Sequence, residues 1–186
     1  MLDYIVGGGI VTKSNFFTPE KFESIKQDIK TFDWEERHQP LKMAYGNRFQ
    51  GMPCYQVIYD KENDYIIDKI EEIMKHPIKD FSMIARKILI SEIKASPQDF
   101  SKYGFVHRDL EREFVSESLL AGMMYFDQSY DGGTAFFHNQ LEKAPDIYVS
   151  SFPNRLVLYN GGRYHANCFD YTMEERITFS FFFKLK

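Results

Sequence analysis

From about residue 85 onward the chain breaks into short aromatic or β-branched runs separated by turn-forming clusters. ILISEIKA, YGFVH, SLLAGMMYF, GTAFFH, DIYVS, RLVLYN, RYHANCF and ERITFSFFFKL follow one another, with SPQD, SYDGG and NGG between them. Val, Ile, Tyr and Phe suit a pleated, half-buried surface, and no helical period joins the runs. About eight short strands in series restrict this half to a β-sandwich or barrel, and a jelly roll is the expected form. The segment Asn160-Gly161-Gly162-Arg163 is expected to turn a hairpin, because Asn and Gly tolerate positive φ.

The first half has a different texture. FTPEKFESIKQDIKTF offers Thr18 as N-cap and Pro19 at the first helical position, with Phe22, Ile25, Ile29 and Phe32 in one apolar stripe. A second helix is expected over 62–75, with Tyr65, Ile66, Ile70 and Ile73 inward and Pro77 closing it. Residues 33–60 read as loop and irregular strand. Gly7-Gly8-Gly9 lacks the frame of a phosphate loop and reads as a flexible turn between short strands. The fold class is therefore mainly β (α+β): a jelly-roll, or double-stranded β-helix, core buttressed by N-terminal helices. Residues 1–186 read as a single domain, with 1–84 the helical support and 85–186 the core.

With 44% hydrophobic residues in a chain of 186, a full hydrophobic core is within reach. The net charge of −4 comes with no basic tail or run, which argues against a non-specific grip on nucleic acid. Cys54 and Cys168 form no CxxC pair and read as buried thiols in a reducing compartment. MLDYIVGGGIVTK has no basic leader and no continuous apolar run, and no stretch approaches the roughly 20 apolar residues of a membrane span. A soluble, cytoplasmic protein is the expectation.

Chemistry concentrates in the β half. In GFVHRDLE, His107 and Asp109 are two apart, so on a strand they project from one face. Such a pair can bind a divalent metal, or can be a histidine hydrogen-bonded to an acid. His165, in RYHANCF just after the Asn-Gly-Gly turn, would complete a two-histidine, one-carboxylate set, the facial triad of non-haem Fe(II) oxygenases. His138, at the end of GTAFFH, is the rival third ligand, with a surface or rim position as its default; His38 and His76 read as surface residues. Further on, Arg176, Thr178 and Ser180 share one face of a strand, and Ile177, Phe179 and Phe181 the other. A buried arginine needs an anion, and its planar fork suits a carboxylate. The distal carboxylate of 2-oxoglutarate would satisfy it, with a hydrogen bond from the hydroxyl two residues on; an ion pair with Glu174 would account for the arginine alone.

His-x-Asp, a long gap, His, ten residues and Arg-x-Thr together resemble the Fe(II)/2-oxoglutarate-dependent dioxygenases, most closely their prolyl-hydroxylase-like branch. YGFVHRD resembles the approach to the family's first metal strand, and LLAGMMYFD the core strand that follows. DGGTAFF is similar to the branch's Gly-Gly-acid-Thr-x-Phe turn, and PNRLVLYNGGRYH to the strand delivering the second histidine. The resemblance implies His107, Asp109 and His165 as catalytic metal ligands, Arg176 and Thr178 as holders of the cosubstrate, and Tyr125 as a lining residue of its pocket, with core packing the alternative for Tyr125. It implies Fe(II), 2-oxoglutarate and dioxygen, with ascorbate as reductant, and oxidative decarboxylation to succinate coupled to hydroxylation of a peptide or small-molecule substrate. Asp109 fills the third ligand position and so leaves no place for a halide. Asp127, Asn154 and Thr134 depart from the family pattern, where asparagine, glycine and an acid are usual. Segments 33–60 and 127–132 are candidate lids, with Trp34, Tyr45 and Tyr55 as candidate contacts. A cupin-like isomerase, lyase or sugar-binding protein that does not use 2-oxoglutarate, and a non-catalytic scaffold, are the competing readings. Monomer and homodimer are both compatible with the sequence.

Overall fold

The computed structural model describes residues 1–36, 41–42, 48–49, 54–95, 106–109, 119–142 and 144–186. Its helices are α1 (Leu2–Val6), α2 (Pro19–Lys30), α3 (Asn63–Met74) and α4 (Ile90–Ala95). The strands are β1 (Val11–Lys13), β2 (Glu35–Glu36), β3 (Leu41–Lys42), β4 (Arg48–Phe49), β5 (Tyr55–Ile58), β6 (Ile78–Leu89), β7 (Leu119–Tyr125), β8 (Ser129–Phe137), β9 (Ile147–Ser151), β10 (Arg155–Asn160), β11 (Tyr164–Cys168) and β12 (Glu175–Leu185). Among the described residues, β3 and β4 pair only with each other.

A seven-stranded antiparallel sheet, in the order β1-β10-β7-β12-β6-β5-β2, faces a smaller sheet, β11-β8-β9. Strand alternation in the large sheet decides what lies on each side. Ile177, Phe179, Phe181 and Phe183 of β12, with Leu156 and Leu158 of β10, pack against the apolar stripes of α2 (Phe22, Ile25, Ile29) and α3 (Ile66, Ile70, Met74). On the opposite face, Met123 and Tyr125 of β7 and Val157 and Tyr159 of β10 meet Phe136 and Val149 of the small sheet. The helices thus buttress one side of a two-sheet roll, and the other side is its interior.

The local signals account for the helices. The Oγ1 of Thr18 accepts the Lys21 amide at 3.3 Å, with Pro19 at the first turn. Four local expectations need correction. The three glycines follow a helix, α1, instead of joining strands, and Gly8 takes the left-handed turn at φ 93°. ILISEIKA is not one strand: β6 ends at Leu89, and Ile90 and Ile93, three apart, bury one face of α4. Residues 129–132, expected in a turn-forming cluster, are the start of β8. Asn160–Arg163 turns without a hairpin, since β10 and β11 lie in different sheets and neither Gly161 nor Gly162 has positive φ. That turn is held by the Arg163 amide on the Asn160 carbonyl and the Gly162 amide on Asn160 Oδ1, both at 2.8 Å.

The positive φ falls instead at Asn154 (60°), where the resemblance puts glycine. Its side chain binds the N-terminal segment reciprocally: Oδ1 accepts the Phe17 amide at 2.8 Å and Nδ2 donates to the Phe17 carbonyl at 2.9 Å. Among the described residues no helix is long and apolar enough to cross a membrane.

Candidate metal centre

His165 lies on β11 and its short neighbour 106–109 runs alongside. His107 and His165 exchange both backbone hydrogen bonds, at 2.9 and 2.7 Å, as opposed residues of an antiparallel pair. The Asp109 amide then donates to the Gly161 carbonyl at 3.0 Å, so the turn after β10 fixes the second candidate ligand of the triplet. These contacts gather the side chains of His107, Asp109 and His165, whose candidate ligand atoms all lie within 4.8 Å of one another. His107 Nε2 is 4.0 Å from Asp109 Oδ1, and His165 Nε2 is 3.6 Å from Asp109 Oδ2. Two imidazoles and one carboxylate at these separations fit one octahedral face of a divalent ion.

The surroundings of His165 suit a metal ligand. Its Nδ1 lies 3.0 Å from the Arg163 carbonyl, an acceptor only, so the proton belongs on Nδ1 and the Nε2 lone pair faces the site. The Tyr159 hydroxyl donates to Asp109 Oδ2 at 3.2 Å and lies 3.4 Å from His165 Nε2. Burial, then the Asp109 charge, push the Tyr159 phenol far above its ordinary range, so it remains a donor. Sequence reading passed over Tyr159. The alternation in RLVLYN was the available signal, since it turns Val157 and Tyr159 to the interior face.

The same cavity is lined by Arg176, Thr178 and Ser180, with Met123, Ile88 and Phe182 as apolar wall. Arg176 is 9% exposed, and burial lowers its guanidinium pKa. Its Nη2 donates to the Gly133 carbonyl at 3.3 Å, while its buried Nε has no hydrogen-bond partner. No ion pair joins it to Glu174 or to any other acid among the described residues. The Gly133 carbonyl is available because β8 bulges there; at φ 155°, an added Cβ would stand 2.1 Å from the Val149 carbonyl oxygen.

The other candidates lie elsewhere. Tyr125 is fully buried, under Arg176 at 5.8 Å from ring centre to guanidinium, and its hydroxyl donates to Thr134 Oγ1 at 2.7 Å. It does not line the cavity. His138 is exposed and lies 3.6 Å from Asp146, outside the cluster; His76 is exposed as well. Trp34 packs edge-on against Phe32, and Tyr55 donates to Glu92 at 2.6 Å. Cys54 and Cys168 are buried free thiols, Cys54 lining the cavity itself, and burial pushes Cys168 up to about 11. His38 and Tyr45 lie outside the described residues.

No family model matches the sequence, and no curated protein matches it. Solved structures do. A prolyl-4-hydroxylase from Pseudomonas putida is similar over 100% of both chains, with a TM-score of 0.62 at 12% identity. The non-haem alpha ketoglutarate dependent epimerase SnoN from nogalamycin biosynthesis is similar over 98% of this chain and 80% of its own, with a TM-score of 0.65 at 11% identity. HygX from Streptomyces hygroscopicus, solved with nickel, 2-oxoglutarate and hygromycin B bound, is similar over 98% and 86%, at 0.64 and 10%. The chain therefore has the jelly-roll fold found in Fe(II)/2-oxoglutarate oxygenases.

Proposed function

We propose that the protein is an Fe(II)- and 2-oxoglutarate-dependent oxygenase, with His107, Asp109 and His165 holding the metal and Arg176, aided by Thr178, holding the distal carboxylate of the cosubstrate. One observation carries this reading: the cavity that holds the His-Asp-His cluster also holds a buried guanidinium with an unsatisfied Nε and no ion-pair partner among the described residues. An unpaired buried charge is costly, and a dicarboxylate reaching from the metal to Arg176 removes that cost. A cupin-like centre that ignores 2-oxoglutarate leaves Arg176 without an ion-pair partner among the described residues.

Each residue then has a physical task. The Arg163 carbonyl fixes the His165 tautomer, and Tyr159 orients the Asp109 carboxylate. Arg176 and Thr178 set the direction of the keto acid, and Met123, Ile88 and Phe182 keep water from its length. When bound, the metal and the chelated keto acid supply the oxidising power for attack on a C–H bond. Hydroxylation of a peptidyl or small-molecule substrate is the proposed reaction; similar folds also serve an epimerase. A soluble, cytoplasmic setting is part of the proposal.

Protein supplied with Fe(II), 2-oxoglutarate, ascorbate and air is expected to release succinate, slowly in the absence of substrate. His107→Ala and Arg176→Gln are expected to lose that release. Equal succinate from wild type and His107→Ala would remove the reading.

A further inference from the structure

The cavity contains a second guanidinium that the proposed chemistry does not use. Arg86, on β6, lies directly across from Thr178 of β12, two pairs along from Ile88 opposite Arg176 and so on the same face of the sheet. Its side chain lines the same cavity as the His-Asp-His cluster, together with Asn167 and Ser180. The Nε of Arg86 is buried and has no hydrogen-bond partner, the same condition as Arg176 Nε. No acid among the described residues forms an ion pair with it.

Charge balance says what is missing. Among the described lining residues, two guanidiniums stand against one carboxylate, Asp109, an excess of one positive charge. A divalent cation and a dianionic 2-oxoglutarate cancel each other, so the excess survives in the loaded cavity. One further anionic group is needed to satisfy Arg86, and the fork geometry of guanidinium suits a carboxylate.

Resting on the oxygenase reading above, we infer that Arg86 is a specificity-determining residue that binds a carboxylate of the primary substrate, so that the substrate is a small carboxylic acid. Asn167 of β11 and Ser180 of β12 add polar groups to the lining of the same cavity. A neutral substrate would leave Arg86, half-buried with an unpartnered Nε, without a counter-charge in the cavity, which is how a site rejects the analogue lacking the matching group.

The test uses protein loaded anaerobically with Fe(II) and 2-oxoglutarate, and propionate and propionamide as a charged and a neutral probe of equal shape. Binding of the probes is measured by isothermal titration calorimetry, and binding of 2-oxoglutarate by its visible absorption band on Fe(II). Propionate is expected to bind saturably and propionamide not to bind. Arg86→Gln is expected to weaken propionate about ten- to hundredfold, the worth of a charge-assisted hydrogen bond, and Arg86→Lys to restore part of the affinity. The 2-oxoglutarate half-saturation is expected to stay within about twofold in Arg86→Gln, which also reports that the variant is folded. A loss of 2-oxoglutarate affinity matching that of Arg176→Gln would assign Arg86 to the cosubstrate and overturn the inference. Propionate affinity equal in wild type and Arg86→Gln, or binding of propionamide as tight as propionate, would also overturn it. Absence of the absorption band in wild type would sink the oxygenase reading itself, a distinguishable failure.

Discussion

Tyr159 donates to the same carboxylate oxygen that approaches His165, so its effect should appear in metal affinity before it appears in stability. Tyr159→Phe keeps the ring that packs on Phe136 and removes only the hydroxyl; Co(II) or Mn(II) binding is expected to weaken about tenfold, in the range of partners that orient metal ligands. Unchanged affinity in a calorimetric titration would show that Asp109 needs no such orientation. Asp127 is a second residue whose chemistry can be read directly. Burial raises its carboxyl pKa, opposed by the Ile177 amide at 3.1 Å and by Arg176. A carboxyl whose folded pKa is raised binds its proton more tightly when folded, so its ionisation costs stability as pH rises above the ordinary value of 3.8. Asp127→Asn retains an acceptor for Ile177. Its stability relative to wild type is therefore expected to improve as pH rises from about 3 towards 7, measured by urea denaturation at several pH values. A difference that is flat across that range would contradict the burial argument.

Among the elements, β12 separates packing from function most cleanly, because its two faces have different tasks. Phe181→Ala removes a fully buried ring from the helix-facing core and is expected to cost about 3–5 kcal/mol. Thr178→Ala, on the cavity face, is expected to weaken 2-oxoglutarate binding severalfold while changing stability by less than about 1.5 kcal/mol. Urea denaturation and cosubstrate titration of both variants check the division; a Thr178→Ala protein with unaltered 2-oxoglutarate binding would remove Thr178 from the cosubstrate's holders. This division was legible in ERITFSFFFKL, since strand alternation is a local property. What escaped the sequence was non-local. Arg86 shares a cavity with His107 only through the register of β6 on β12, and nothing in RKILIS encodes that register. The Asn160 turn misled for a related reason: Asn-Gly-Gly favours a tight turn equally within a sheet and between two, and only the partners of β10 and β11 decide. Ile90 and Ile93 likewise suit either a strand or one helical face, and the helix prevails once Leu89 has ended β6.

For the whole molecule, the sheets divide the labour. The large sheet turns one face to α2 and α3 and supplies Arg176, Thr178 and Arg86 from the other, while the small sheet and its neighbour 106–109 supply the three side chains proposed to hold the metal. A ligand that touches both must span the interior of the roll, as a keto acid chelated at one end and paired at the other would do. The most direct measurement follows from that geometry. Fe(II) and then 2-oxoglutarate are added anaerobically to metal-free protein, and the visible spectrum is recorded for wild type, His107→Ala and Arg176→Gln. The expected result is a weak charge-transfer band in wild type that is absent from His107→Ala and requires at least about tenfold more 2-oxoglutarate in Arg176→Gln. Iron bound by wild type with no band at any 2-oxoglutarate concentration would contradict the proposed site.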